Sequence, residues 1–270
     1  MSRVSIPYPR GRYLRRMAAT TSEVLAECDR LLQPEGFEDH CVNGLQVPGA
    51  RHVGTLATGV SAHAELFELA VAERADLLIV HHGLFWGPGV RLLDERLARR
   101  LRLLLDADMA LAAYHLPLDA HPDIGNNALL ARALGAERME PFASHLGRPI
   151  GFVADLAGEG LPFSDLLASV ATVTGRKPLA FDSGPERVGS LAIVSGAGAD
   201  FIDEARAAGA DALLTGEISE RSMADAREAG VHLIAAGHYA TETFGVRRLG
   251  ELLAERFGLR HVFLDVPNPV

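Results

Sequence analysis

Short apolar stretches alternate with longer segments of helical periodicity along most of the chain. Most of the short stretches have no regular polar position, which is typical of strands buried on both faces of a parallel sheet. Strands and helices that alternate in this way form right-handed β-α-β units, so the pattern predicts an α/β fold. The predicted strands are 56–60, 77–80, 109–114, 151–155, 188–194, 212–215, 231–236 and 261–266. The predicted helices are 21–32, 62–73, 91–105, 126–134, 162–174, 200–208, 219–229 and 245–257.

The two halves of the chain repeat one pattern, which predicts an internal duplication. Residues 75–82 align with residues 210–217, and each segment follows a strand, a helix and a glycine-containing turn. Each half also has a histidine and an acid four positions apart, directly after an apolar strand: His115 with Asp119, and His238 with Glu242. Two unrelated β-α-β units would also look alike, but the matched pairs favour duplication. We expect two similar three-layer α/β/α domains, over 17–140 and 141–270, with a linker at 140–149 and a loosely ordered, arginine-rich extension over 1–16.

The composition narrows the classes of function. A net charge of −9 argues against a nucleic-acid-binding protein, which would show a basic face. No apolar run reaches about 18 residues, so we expect no membrane span and a cytoplasmic protein. Cys28 and Cys41 form neither a disulfide framework nor a C-x-x-C motif, so a metal site in this chain must use histidine and carboxylate ligands.

Histidine and carboxylate side chains follow three of the predicted strands, at the edge where open α/β sheets bind ligands. Such ligands suit zinc, iron, manganese, cobalt or nickel. Six groups exceed the needs of one tetrahedral ion, so they predict two divalent ions about 3.5–4 Å apart. A single histidine at a strand end is usually an ordinary hydrogen-bonded residue, but three such strand ends favour a metal site. The six candidates are His81, His82, His115, Asp119, His238 and Glu242.

Other catalytic motifs are missing from the sequence. The glycine-containing segments 83–89 and 196–198 lack the G-x-x-x-x-G-K-[ST] and G-x-G-x-x-G patterns, so they predict turns and not phosphate loops. Ser195 lies outside a G-x-S-x-G elbow, which argues against a serine hydrolase. His121 is either a proton carrier or the cap of a loop.

Six motifs in a fixed order carry a family resemblance. They are NGLQV at 43–47, VHHGLFW at 80–86, HLPLDAHP at 115–122, GNN at 125–127, TGE at 215–217 and GHYATE at 237–242. Over about 17–270 the chain resembles the Nif-three-like dinuclear metal-centre family, whose bacterial members are commonly called GTP cyclohydrolase I type 2 homologues. The resemblance implies two α/β/α domains that exchange a C-terminal strand, and a toroidal homohexamer with metal pairs facing an inner cavity.

The resemblance also implies roles for individual residues. It assigns the two metal ions to His81, His82, Asp119, His238 and Glu242, and it places His115 close to the metals. Opening of a purine-type ring would need a proton shuttle, for which His115, His121 or Glu217 are the candidates. The first hypothesis is therefore a dinuclear metal-dependent hydrolase of a nucleotide-like small molecule. The alternatives are a metal chaperone or insertase, and a ring-forming scaffold without catalysis.

Overall fold

Two mixed β-sheets form the frame of the molecule, in a computed structural model that describes residues 19–87 and 92–270. The strands are β1 (Ala19–Thr20), β2 (Gly44–Val47), β3 (His52–Val53), β4 (Thr55–Ser61), β5 (Leu77–His82), β6 (Ala110–Ala113), β7 (Ala136–His145), β8 (Arg148–Leu156), β9 (Leu161–Pro162), β10 (Leu179–Phe181), β11 (Arg187–Val188), β12 (Ser190–Val194), β13 (Ala212–Thr215), β14 (His232–Ala235) and β15 (Arg260–Phe263). The helices are α1 (Thr21–Leu32), α2 (Ala64–Ala72), α3 (Glu95–Asp106), α4 (Leu116–Asp119), α5 (Asn126–Ala133), α6 (Phe163–Thr174), α7 (Ile202–Ala207), α8 (Ser222–Ala229), α9 (His238–Thr241) and α10 (Thr243–Phe257). The predicted extension over 1–16 and the predicted helix start at residue 91 lie outside the described residues.

The first sheet has the order β15-β4-β5-β6-β2, in which the first four strands are parallel and β2 is antiparallel. Side chains of β5 alternate between its two faces: Leu77 and Ile79 pack toward α1 and α10, whereas Leu78 and Val80 pack toward α2 and α3. All four are fully buried, as a parallel strand covered by helices on both faces requires. The sheet is therefore the middle of three layers.

The second sheet has the order β10-β14-β13-β12-β8-β7, with β12, β13 and β14 parallel. Helices α5 and α6 cover one face of it, and α7 and α8 cover the other. The prediction of an α/β fold with three-layer α/β/α domains is confirmed. The strands also correspond in order, since β4-β5-β6-β2 in one sheet matches β12-β13-β14-β10 in the other. Internal duplication is consistent with this order and stays a prediction.

The chain crosses between the two sheets after the third parallel strand of each half. After β6, the chain continues into α5, whose Leu130 and Ala131 pack in the core of the second sheet. After β14, it continues into α10, whose Leu249 and Leu253 pack in the core of the first sheet. The last strand, β15, then pairs with β4 in the first sheet. The short turns that begin the two crossings therefore lie between the sheets.

The predicted linker over 140–149 is wrong, because this segment forms the hairpin of β7 and β8. Leu146 and Gly147 both have positive φ, at 47° and 84°, as a two-residue hairpin turn requires. Strand β7 lies at the edge of its sheet, so it tolerates Pro141 and many polar residues. Those polar residues and prolines gave the segment the composition of a linker. Among the residues that the structure describes, no helix is long and apolar enough to span a membrane.

Candidate metal centre

The candidate site is built around the carboxyl end of β5, where His81 and His82 are the last two residues of the strand. Their Nε2 atoms face the two oxygens of one carboxylate, that of Glu242. His81 Nε2 lies 3.6 Å from Oε1, and His82 Nε2 lies 3.1 Å from Oε2. The strand end of the first half therefore meets an acid of the second half.

The two crossing turns bring the remaining groups to the same point. After β6, His115 precedes the one-turn helix α4, which ends at Asp119, and Asp119 Oδ2 lies 3.4 Å from His81 Nε2. After β14, His238 opens α9, and its Nε2 lies 3.3 Å from Glu242 Oε1. Three groups could each hold a metal ion, with ligand atoms within 4.8 Å of one another: His81, His82 and His115; His82, His238 and Glu242; and His81, Asp119 and Glu242.

Each of the four histidines has a partner for its Nδ1 atom, which leaves Nε2 directed at the cluster. Such outer contacts fix the tautomer and the ring orientation of metal-binding histidines. The partners, with their distances from Nδ1, are the Tyr114 carbonyl for His81 (3.0 Å), the Ser61 hydroxyl for His82 (3.0 Å), the Asp39 carboxylate for His115 (2.8 Å) and the Glu217 carboxylate for His238 (3.2 Å).

Two buried atoms at the centre of the cluster have polar neighbours within 3.1–3.4 Å but make no hydrogen bond of good geometry: His81 Nε2 and Glu242 Oε2. His81 is fully buried and Glu242 is 2% exposed, so bulk water cannot supply hydrogen bonds to these two atoms. Unpaired buried polar atoms are costly and rare, and they require an explanation. A divalent cation would satisfy both, since neutral imidazole nitrogen and carboxylate oxygen are ligands that transition metals accept. The donor set therefore fits a metal ion.

The electrostatics of the cluster shift the pKa values of Glu242, His81 and His238 toward their charged forms, whereas burial lowers the pKa of His82. Burial acts to raise the pKa of Glu242, but the charges of His82 and His81 hold that pKa well below its usual value. Burial acts to lower the pKa of His81, but Asp119 and Glu242 hold it well above the usual value. Burial likewise opposes the shift of His238, yet Glu242 and Glu217 raise its pKa to about 9. A metal ion that binds here must therefore displace protons.

Asp39 contributes to the site without any marker in the sequence pattern, and Trp86, the last residue of the VHHGLFW motif, lies beside it. The Trp86 ring lies edge-on to His115, with ring centroids 5.1 Å apart. The Asp39 carboxylate accepts hydrogen bonds from His115 Nδ1, from Asn43 and from the Leu116 amide. Burial acts to raise the pKa of Asp39, but His115 and these donors hold it well below the usual range. Asp39 is 76 positions from His115, so no local spacing could reveal the pair.

The three predicted proton-transfer residues have different surroundings. His115 lies in the cluster, and Glu217 contacts His238 and borders the adjoining pocket. His121 lies outside the three metal-binding groups of the described residues and lines a separate pocket beside Leu31 and Phe37. Its Nδ1 accepts hydrogen bonds from the amides of Asp123 and Ile124, at 3.1 and 3.3 Å. The structure therefore gives His121 the position of a loop cap.

A pocket of about 330 Å³ opens beside His82 and His238. Apolar and polar side chains line it in equal number, so it offers both packing surface and polar contacts to a small molecule. The apolar side chains are those of Val60, Leu66, Tyr239, Leu264, Val266 and Val270. The polar ones are those of Ser61, His63, His82, Glu217, His238 and Asn268.

Comparison with known proteins gives a consistent result at the level of sequence. The model of the Duf34/NIF3 (NGG1p interacting factor 3) family matches residues 19–269. A Pseudomonas aeruginosa protein named GTP cyclohydrolase 1 type 2 homolog is 44% identical over 253 residues, which cover 94% of this chain and 100% of that protein. The Escherichia coli protein of the same name is 42% identical over 244 residues, which cover 88% of this chain and 94% of that protein.

Solved structures resemble the fold over nearly its whole length. Protein ybgI superposes with a TM-score of 0.87 at 40% identity, covering 93% of this chain and 100% of its own. TTHA1606 from Thermus thermophilus superposes with a TM-score of 0.85 at 36% identity, with the same coverage. Reduced HcgD from Methanocaldococcus jannaschii has a TM-score of 0.81 at 24% identity, over 92% of this chain and 98% of its own, and shows likeness of fold alone.

Proposed function

Because this chain belongs to the Duf34/NIF3 family, as its motifs predicted, we propose that it is a metal-dependent hydrolase of a nucleotide-like small molecule. Curated relatives are named GTP cyclohydrolase 1 type 2 homolog, so GTP is the first substrate to test. The proposed cofactor is a pair of divalent ions, drawn from zinc, iron, manganese, cobalt and nickel. The proposed ligands are His81, His82, Asp119, His238 and Glu242.

One observation supports the proposal above all others. Two buried ligand atoms without a well-formed hydrogen bond, His81 Nε2 and Glu242 Oε2, lie at the meeting point of four imidazoles and two carboxylates, beside a pocket. A purely structural polar cluster would pair these atoms with each other or with backbone groups. A site that binds cations leaves them directed at the place of the ion.

The grouping of the ligands suggests how two ions would be shared. One group consists of His81, Asp119 and Glu242, and another of His82, His238 and Glu242. Glu242 belongs to both groups, and its two oxygens face different imidazoles. Carboxylates can bridge two ions, so Glu242 is the proposed shared ligand. His115 groups with both His81 and His82, with ring centroids 4.9 and 5.5 Å away, and is the proposed neighbour of the ions.

The residues around the pocket would prepare a substrate for hydrolysis. A bound metal pair lowers the pKa of a coordinated water and supplies a nucleophile at neutral pH. The apolar side chains of the wall would pack against the substrate, and Tyr239, which lines the pocket, is the proposed stacking partner of a planar heterocycle. Glu217 borders the same pocket and contacts His238 Nδ1, so its carboxylate is the proposed proton carrier for the leaving group.

The direct experiment is turnover by metal-loaded protein. Purified protein would be stripped with a chelator and reloaded separately with zinc, manganese, iron, cobalt or nickel. Each form would be assayed for ring opening of GTP by ultraviolet absorbance, together with a panel of nucleosides, nucleotides and phosphoesters. We expect turnover by at least one metal form and none by the stripped protein or by His82→Ala. Absence of turnover across the panel by fully loaded protein would refute the hydrolase.

Metal handling is the second candidate, and the exposure of two ligands and of the neighbouring His115 favours it. The side chains of His82, His115 and His238 are 17%, 18% and 27% exposed, so incoming ligands can reach them. A chaperone or insertase would release its ion to an acceptor within seconds to minutes and would catalyse no hydrolysis. Loss of cobalt to a competing apo-protein, followed by its absorbance, distinguishes this function from an enzyme that retains its metal through turnover.

The proposed assembly is a homohexameric ring, as the family resemblance implies. Light scattering coupled to size-exclusion chromatography should give six times the chain mass of 28.9 kDa. A scaffold function predicts that the assembly matters more than the metal. Ligand variants that form the same assembly and keep full cellular function would favour the scaffold over both metal functions.

A further inference from the structure

Asn126 joins the two halves of the chain behind the candidate metal centre. It is the first residue of α5 and is fully buried. Its side-chain Nδ2 donates a hydrogen bond to Asp119 Oδ1 at 2.8 Å. Its Oδ1 accepts a hydrogen bond from the Gly245 amide at 2.7 Å, in the first turn of α10. Because Gly245 follows Glu242 by three residues, one amide group connects the helix that begins after Glu242 with the side chain of Asp119.

The chemistry of the two partners allows only one orientation of this amide. The NH₂ group must face the carboxylate, and the carbonyl must face the N–H group, since the reverse would oppose two acceptors and two donors. No solvent reaches the fully buried side chain of Asn126, so losing either contact would leave a buried polar group without a hydrogen bond, at a cost to the stability of the fold. Asn126 is therefore a fixed bridge and not an adaptable contact.

Asn126 also determines which oxygen of Asp119 is available to a metal. Asp119 Oδ1 accepts a second hydrogen bond, from the Ser195 hydroxyl at 3.1 Å. With two donors on Oδ1, the carboxylate presents Oδ2 to His81 Nε2. Both donors are neutral, so they orient the carboxylate without competing for its charge.

The other end of the bridge is equally constrained. A Cβ atom on Gly245 would lie 3.0 Å from Asn126 Oδ1 and 3.0 Å from Leu118 Cγ. The missing side chain lets the start of α10 approach the turn that carries Asp119. Glu242 directly precedes α10, so this close approach also sets the place of Glu242.

We propose that Asn126 is a positioning residue that sets the separation of the Asp119 and Glu242 carboxylates, and that metal affinity depends on it. The inference rests on the proposed metal centre. Groups that orient metal ligands typically change metal affinity by about 10–100-fold when they are removed. Asn126 would act through the ligands, without touching the ion.

Asn127 is the matched control, because it is the next residue of α5 and is also fully buried. Its Nδ2 donates to the Ile150 carbonyl at 2.6 Å, and its Oδ1 accepts from the Ser195 amide at 2.7 Å. It contacts the Asp119 backbone carbonyl at 3.4 Å and not the carboxylate. Asn126→Ala and Asn127→Ala should therefore lose similar stability but differ in their effect on the metal.

The experiment measures zinc affinity of the full chain by competition with a chromogenic chelator, and records the absorption spectrum of the cobalt form. We expect Asn126→Ala to weaken zinc binding by about 10–100-fold and to change the cobalt spectrum. Asn127→Ala should have a smaller effect on both, because Asn127 contacts Asp119 only at its backbone carbonyl and holds Ser195 only through its amide. Asn126→Asp keeps the shape of the side chain but places a carboxylate against that of Asp119, so it should also weaken zinc binding. This variant replaces the alanine variant in the test if Asn126→Ala does not fold.

A double-mutant cycle tests whether Asn126 acts through Asp119. In an Asp119→Ala background, Asn126→Ala should cause a smaller loss of zinc affinity than in the wild type, because one of the two carboxylates that it positions is gone. Wild-type zinc affinity in both Asn126 variants, or an equal loss with and without Asp119, would overturn the inference while leaving the metal centre intact. A wild-type protein that binds no zinc, manganese, iron, cobalt or nickel would instead refute the proposed function.

Discussion

The turn after β6 and the turn after β14 carry the same pair of residues, a histidine and an acid four positions later, but use it differently. In the second turn, the pair is local, since His238 Nε2 lies 3.3 Å from Glu242 Oε1. In the first turn, the pair is divided. Asp119 faces His81 at 3.4 Å, whereas His115 Nδ1 donates to Asp39 at 2.8 Å. Equal spacing in sequence therefore gave unequal ligand geometry.

The approach to each turn explains the difference. One residue separates the end of β6 from His115, whereas Ala236 and Gly237 separate the end of β14 from His238. Gly237 has φ +98°, a conformation that favours glycine, and it turns the chain before α9 begins. His238 is then the first residue of its helix, but His115 precedes its own. A shift of one residue relative to the helix changes which neighbour an imidazole meets.

Away from the site, the two halves share the same contacts between an aspartate and the start of a strand. Asp76 Oδ2 accepts hydrogen bonds from the backbone amides of Gly54 and Thr55, at the start of β4. The aligned Asp211 Oδ2 accepts from the amides of Gly189 and Ser190, at the start of β12. The halves differ where the ligands are, because His81 and His82 align with Gly216 and Glu217. A Cβ atom on Gly216 would lie 2.6 Å from His238 Cα, so that position has no room for an imidazole.

The largest effect is expected from the acid that both metal-binding groups share. Glu242→Gln keeps the size of the side chain but removes its charge, so both ions should be lost. Asp119→Asn removes a ligand from one group only and should leave one ion. Metal content by inductively coupled plasma spectrometry, after reloading and desalting, would show about two, one and zero ions for the wild type, Asp119→Asn and Glu242→Gln. Equal loss in the two variants would contradict the assigned difference between the turns.

Filling the space beside His238 should have the next largest effect. The new methyl group of Gly216→Ala would meet His238 Cα and the Gly196 carbonyl, at 2.6 and 2.7 Å. Such overpacking costs about 1–3 kcal/mol of the free energy of unfolding, and displacement of His238 should weaken metal binding. Gly189→Ala is the control, because its nearest neighbour would be an oxygen at 3.7 Å. Urea unfolding and zinc titration should show the difference, and wild-type behaviour of Gly216→Ala would disprove the steric account.

Asp76 and Asp211 make the same backbone contacts in the two halves, so replacing them tests whether the halves are stabilised in the same way. Asp211→Ala and Asp76→Ala each leave two backbone amides without their acceptor, so each should lower the free energy of unfolding by about 1–3 kcal/mol. The loss should be greater for Asp211, whose contacts are both partly buried. Neither variant should change zinc affinity at temperatures where it is folded. If either aspartate variant lost metal affinity while it remained folded, the contacts at the strand starts and the metal centre would not be independent.

The smallest effect concerns the contact that ties the last strand to the first sheet. His261 Nε2 lies 2.9 Å from Thr58 Oγ1, and burial lowers the pKa of His261 against a weaker opposing charge on Glu251. The unfolded chain then binds its proton at a higher pH than the folded chain does. The contribution of His261 to stability is complete above about pH 6.5 and declines as the pH falls below it.

Replacement of His261 should therefore flatten the pH dependence of stability. Urea unfolding at pH 7.5 and pH 5.5 should show a smaller loss for His261→Gln than for the wild type. Thr58→Val keeps the histidine and removes its hydroxyl partner, so this control should retain the loss. An unchanged pH dependence in His261→Gln would show that the ring accepts a proton without cost in the folded protein.

Many of the strands and helices were predictable, because each depends on residues that are neighbours in the sequence. Apolar runs such as 77–80 specify buried parallel strands, and the histidines that follow them mark the edge where a site forms. The motifs also named the ligand candidates, which the structure brings within 4.8 Å in groups of three. Strand β8 was predicted as 151–155, but β7 and the hairpin turn were missed, because an edge strand tolerates the polar residues and proline of a linker.

The sequence by itself determined the strands, the helices and the kinds of ligand, because each depends on neighbours within a few positions. Only the tertiary structure decided that the chain crosses between the sheets after β6 and β14, so that Asp119 and Glu242 meet at His81. It alone decided that Asn126 bridges the two crossings, and that Asp39 holds His115. These contacts join residues far apart in the chain, where spacing carries no signal and only packing selects the partner.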